Sequence, residues 1–229
     1  MTDTRILEFL TELDLHNNRD WLLAHKDMQR EAAAQFEELV QHMISELSPY
    51  DPSIAHLQAK DLTFRLNRDT RFSKDKSPYH AAFRAHIGPA GKLPIPVGYF
   101  VHIVPGNLFL GGGLFASCFS DATGRIRNAI LEQGKEFLDI IGEPEFQKRF
   151  ILVGEQLKRV PKGFDEGLPQ SEYFKYKSLA LEAHLPDCAL KDTGEFLKSA
   201  VDICLLMKPF NDFLNRALEG FHMPERGPR

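Results

Sequence analysis

The spacing of apolar residues along this chain changes twice, and those two changes constrain its architecture more than any single motif. Near the start, Ile6, Leu7, Phe9, Leu10 and Leu13 form a stripe at helical spacing. A second, longer stripe runs from Trp21 through Met28, Ala32, Phe36, Leu39, Val40, Met43 and Ile44 to Leu47. Positions three and four apart share one side of a helix, so both stretches read as helices with one buried face. Asn17 or Asn18 can cap the second, because its side-chain oxygen accepts from orphaned first-turn N–H groups, and Pro49 stops it. From Leu62 the period falls to two. Leu62, Phe64 and Leu66 alternate with Thr63, Arg65 and Asn67, as in a strand. Residues 81–87, 97–104 and 108–110 read as three more strands, the last interrupted at Gly111-Gly112-Gly113 by what looks like a bulge or turn. Helical spacing then returns. Ser120 or Asp121 caps a helix carrying Ile126, Ala129, Ile130, Phe137 and Leu138, weakened at Gly134, and residues 143–153 make a shorter one. Residues 179–184 return a strand to the sheet, and a last helix runs from Asp192 to Leu218 with a kink at Pro209.

Helices at both ends around a strand meander predict an α+β fold, with a central, mainly antiparallel sheet of about four to six strands packed against the N-terminal and C-terminal helices. The short links between strands favour hairpins over crossovers, which need a dozen or more residues. We expect one domain over residues 1–222 and a flexible tail over 223–229. The 43% apolar and 26% charged content is that of a chain able to bury a core, which argues against long disordered regions. No apolar run approaches the roughly 18 residues of a membrane span, and the first residues lack the basic-then-apolar order of a signal peptide. Cys118, Cys188 and Cys204 are odd in number and widely separated, as expected of free thiols in a reducing, cytoplasmic setting.

Charge is distributed unevenly. Between Arg65 and Arg84 stand six lysines and arginines against Asp69 and Asp75, a local charge of +4 in a chain whose net charge is −4. A cationic stretch leaving the end of a strand can present several donors to one anion, and the arginine fork suits phosphate or carboxylate. Arg65, Arg68, Arg71, Lys74 and Lys76 are therefore candidate ligand-binding residues, joined by Arg127 and Lys162 from later in the chain. The competing reading is structural: Asp69 and Asp75 neutralise neighbouring guanidinium groups within the loop. The acidic balance of the whole chain argues against a general nucleic-acid coat.

No motif names a reaction. His102 shares a strand face with Phe100, and with Tyr79 it is the candidate for proton transfer, the more common role of such a histidine being a hydrogen-bonded sheet residue. No His-Glu-x-x-His pattern and no clustered cysteines occur, so neither metal nor cofactor is expected. The triple glycine lacks the Gly-Lys-Ser/Thr ending of a phosphate-binding loop.

Several ordered motifs resemble a known family. Asn17-Asn18-Arg19-Asp20-Trp21, the run from Phe64 to Tyr79, Gly98-Tyr99-Phe100-Val101-His102 with Pro105, Gly111-Gly112-Gly113 and Pro161-Lys162-Gly163-Phe164 are similar to domain-of-unknown-function family 2461. Leu22 and Leu23 stand where that family often has an aromatic residue, and Leu66-Asn67 where it often has Ile-Tyr, departures that touch packing more than charge. The resemblance implies one shared module and no particular activity. The expectation from the residues themselves is a basic, anion-binding cleft for a phosphorylated small molecule or nucleotide. The alternative is a non-catalytic module whose loop 65–79 docks an acidic protein partner or a nucleic-acid backbone.

Overall fold

The computed structural model describes residues 5–71 and 73–224. The N-terminal part holds helices α1 (Arg5–Leu15), α2 (Arg19–Ala24) and α3 (Lys26–Leu47). Asn18 caps α2, its side-chain oxygen accepting the Trp21 N–H at 2.9 Å. The helix expected to run unbroken from Trp21 is divided at His25, which ends α2 and begins α3. The Trp21 carbonyl there accepts both the His25 backbone N–H at 3.0 Å and its Nδ1 at 2.8 Å. Such a side-chain bond competes with continued helical pairing.

The strand expected over residues 62–66 is not formed. Leu62 instead closes the short helix α4 (Ala59–Leu62), and the chain then runs beside the sheet with isolated bridges at Thr63–Ala85 and Asn67–Tyr79. The Arg68 N–H donates to the Pro78 carbonyl at 2.9 Å, but Pro78 has no N–H to return, so a continuous ladder cannot develop there.

The sheet comprises β1 (Phe83–Ile87), β2 (Tyr99–Ile103), β3 (Leu108–Leu114), β4 (Ile151–Val153) and β5 (Leu179–Leu185). Its order is β1-β2-β3-β5-β4, every pair antiparallel. Between β3 and β4 lie α5 (Ser120–Glu132), α6 (Gly134–Gly142) and α7 (Pro144–Arg149). Phe119 rather than Ser120 or Asp121 occupies the N-cap of α5, without a side-chain cap bond, and the helix breaks at Gln133. The helix expected over 143–153 ends at Arg149 and gives way to β4. The chain closes with α8 (Thr193–Ala217), capped by Asp192, whose Oδ1 accepts the Gly194 and Glu195 N–H groups at 3.0 and 3.1 Å. Pro209 sits within α8 without ending it. Of the expected tail, residues 225–229 lie outside the described residues. No described helix is long and apolar enough to cross a membrane.

One face of the sheet carries the core. Phe83 stacks on Phe36 of α3 at 5.2 Å, and Tyr99, Val101, Leu110, Leu181 and Ala183 are buried with Phe196, Met207 and Phe210 of α8. The triple glycine, expected to interrupt a strand, lies wholly within β3 and pairs residue by residue with β5. Close approach explains it. A Cβ on Gly112 would lie 2.7 Å from Met207 Sδ and 2.8 Å from Asn211 Oδ1, so only glycine lets α8 settle this near the sheet. Asn211 uses that proximity: its Oδ1 accepts the Gly113 N–H at 2.7 Å and its Nδ2 donates to the Gly98 carbonyl at 3.1 Å. One turn on, Asn215 accepts the Val97 N–H at 2.8 Å and donates to the Val97 carbonyl at 3.0 Å. Two asparagines on one helix thus hold β3 and the residues leading into β2 from behind.

Candidate functional site

Alternation along each strand sends the remaining side chains to the opposite face. The register aligns Arg84 of β1 with His102 of β2, His102 with Phe109 of β3, and Phe109 with His184 of β5. These four residues form one row across four strands. A parallel row holds His86, Phe100, Gly111, Glu182 and Ile151. The rings touch: His102 stacks on Phe109 at 4.5 Å, Phe109 meets His184 at 5.5 Å, and Phe100 meets Phe64 and Phe115 at 6.2 and 5.3 Å. Phe115, at 39% exposure, folds back over the bare Gly111. At the far end Glu182 Oε2 lies 3.0 Å from His184 Nε2.

Arg84 is the unusual member. Its guanidinium carbon lies over the Phe64 ring at 5.7 Å, and its Nε is buried without a hydrogen-bond partner. It makes no side-chain hydrogen bond or ion pair with any described residue. Burial lowers its pKa, as expected for a cation partly withdrawn from water and given no counter-charge. Its field reaches two histidines. Burial first, then Arg84 and His184, push His102 down to about 4, so this imidazole is neutral at physiological pH. His80 is lowered too, by burial, then by Arg84 and Arg68, against an opposing effect of Asp75.

The cationic loop is largely wired to itself. Arg68 pairs with Asp75, while Arg71 pairs with Asp69 through its Nε at 2.9 Å and its Nη2 at 2.6 Å. The Ser77 N–H and side chain, then Arg68, hold the Asp75 carboxyl far below the usual carboxylate range. Lys76 donates to the Thr70 carbonyl at 2.9 Å, and Lys74 is exposed. Arg65 points elsewhere, lining a cavity of about 190 Å³ with Gln29 and Glu37 of α3. Tyr79 is fastened to the N-terminal motif: its backbone N–H donates to Asn17 Oδ1 at 3.1 Å, and Asn17 Nδ2 donates to its carbonyl at 3.0 Å. Arg127 belongs to the scaffold, donating to the Phe174 and Tyr176 carbonyls at 2.7 and 2.8 Å, and Lys162 is exposed in the link between β4 and β5.

Of the candidates raised from sequence, His102 stands on this sheet face, and Arg68 is related to it only by acting, with Arg84, on the charge of His80. Arg84, Phe109, Glu182 and His184 were not singled out. The alternation in residues 81–87 and 97–104 carried part of that signal, since it puts Arg84 with His86 and His102 with Phe100. Among the described residues no group of three or more histidine, cysteine, aspartate or glutamate side chains is placed to hold a metal ion.

No curated protein and no solved structure matches the chain. A family model described as a conserved hypothetical protein does match, over residues 5–213. That span includes the Asn17 to Trp21 motif, the cationic loop, all five strands and most of α8, and the chain belongs to this conserved hypothetical protein family, DUF2461.

Proposed function

We propose that the open sheet face binds a small phosphorylated anion, a phosphorylated small molecule or nucleotide, with Arg84 as its anchor. The observation that carries this reading is a partly desolvated guanidinium with a buried, unpartnered Nε and no counter-ion among the described residues. Only Nε is fully enclosed; the residue as a whole is half-buried, and an oxyanion at the rest of the guanidinium would supply the counter-charge it lacks together with charge-assisted bonds. His102 and His80 stand beside it as neutral imidazoles that can donate to the same anion. Docking of an acidic partner through loop 65–79 is less well supported, because Arg68 and Arg71 already hold Asp75 and Asp69.

Thermal denaturation in inorganic phosphate, pyrophosphate and nucleoside monophosphates tests the reading. A ligand at a hundred times its Kd stabilises by about 2.7 kcal/mol, which for a chain of this size raises Tm by roughly 5–10 °C. The shift should vanish in Arg84→Met. No shift with any of these anions at millimolar concentration, or an equal shift in Arg84→Met, refutes the proposal.

A further inference from the structure

We infer that the ligand of this face is a nucleoside monophosphate lying along the Arg84–His184 row, with its phosphate at Arg84, its ring over His102 and Phe109, and donors on its base edge bonded to Glu182, which stands in the neighbouring row beside His184. The inference rests on the anion reading above and adds the identity of the rest of the molecule.

Length is the first argument. Arg84 and His184 occupy the same register position on strands three spacings apart, and neighbouring strands lie about 4.8 Å from one another, so the row spans roughly 14 Å. That suits an extended nucleoside monophosphate, whereas a sugar phosphate would leave the β5 end bare.

The chemistry also changes in order along the row. A cation without a hydrogen-bonding or ion-pair partner stands at one end, followed by two stacked planar rings. Phe109 is only 7% exposed and His102 stacks on one of its faces, so what it offers a ligand is its rim. A flat heterocycle laid over ring rims takes the edge-to-face contacts that aromatic quadrupoles favour. At the other end the Glu182 carboxylate, its side chain 22% exposed, is held by His184 and accepts hydrogen bonds only. It therefore calls for amino or ring N–H donors, which a base edge supplies.

The same carboxylate discriminates against polyanions. A nucleic-acid backbone running the length of the row would bring a later phosphate to its His184 end, beside Glu182, where like charges repel. One negative group at one end and hydrogen-bond donors at the other describe a mononucleotide.

Calorimetric titration of AMP, GMP, CMP, UMP, ribose 5-phosphate and inorganic phosphate into the wild-type chain and into Glu182→Ala decides the matter. At least one nucleotide should bind about tenfold or more tighter than ribose 5-phosphate, since edge-to-face ring contacts and hydrogen bonds at the base edge add to the phosphate contact. Glu182→Ala should remove most of that advantage and leave ribose 5-phosphate unchanged, which also shows that the variant is folded. Equal affinity for nucleotides and ribose 5-phosphate, or equal weakening of both in Glu182→Ala, overturns the inference while leaving the anion site intact. If no phosphorylated compound binds the wild-type chain, the anion reading itself falls, and the inference with it.

Discussion

Replacing Arg84 with methionine should make the protein more stable. The substitution keeps an unbranched apolar stem against the Phe64 ring and removes the buried Nε–H that has no acceptor. Removing an unsatisfied buried donor gains about 1–3 kcal/mol, and losing the cation over Phe64 returns about 0.5–1 kcal/mol. The balance is a gain of about 1 kcal/mol, worth roughly 2–4 °C in Tm for a chain of this length. Differential scanning calorimetry in a buffer free of phosphate and sulfate gives the Tm directly. Two-dimensional NMR of the histidine rings supplies an independent reading. Arg84 is the second cause, after burial, of the depressed His102 pKa, so that pKa should rise from about 4 in the variant while staying below the free-imidazole value. A fall of several degrees in Tm would refute the reasoning, because it would mean that Arg84 is a structural member whose interactions outweigh its desolvation. An unchanged His102 titration would show that its charge is not felt across the β1–β2 pair.

Three further outcomes follow from the same structure. Asn211→Leu leaves the Gly113 N–H and the Gly98 carbonyl without partners and should cost about 2–5 kcal/mol, measured by urea unfolding followed through Trp21, the one tryptophan of the chain. Asn17→Ala removes both bonds to the Tyr79 backbone and should cost about 1–2 kcal/mol; limited proteolysis should then cut faster within residues 69–77. His102 contributes a pH dependence of definite sign: its folded pKa lies below the unfolded value of about 6.5, so the unfolded chain takes up the proton first. That contribution is intact above pH 6.5 and declines as pH falls towards about 4, so Tm in His102→Phe should vary less over this window than in the wild type.

Much of this architecture could be read from residue spacing, and the exceptions share a cause. The helical stripes before Leu47 and after Asp192 were legible because a periodic apolar face needs no knowledge of its partner. The triple glycine was misread because its meaning lies about a hundred residues away, in Met207 and Asn211. A bare backbone looks like a turn until the helix that presses on it is known. Leu62 alternates convincingly with Phe64 and Leu66, yet Leu62 is taken into α4, and the residues after it meet two different segments, Thr63 bridging to Ala85 and Asn67 to Tyr79, so no continuous ladder forms. His102 was visible as a face-mate of Phe100. Arg84 was visible only as one more charge, since what distinguishes it is the lack of an acceptor in the register of β1 with β2. Glu182 and His184 join the face only through the pairing of β3 with β5, which no local pattern announces.

The strand order has a consequence for how the molecule assembles. β5, last of the strands to leave the ribosome, takes an interior place between β3 and β4, so the polypeptide must close a loop of some sixty residues before the sheet is complete. Contacts this distant form late and slowly, whereas the β1–β2–β3 meander can zip locally. His184 and Glu182 arrive with that final insertion. Any compound held by the full row would therefore recognise only the finished sheet, and would act on the last step of maturation rather than on the hairpins that precede it.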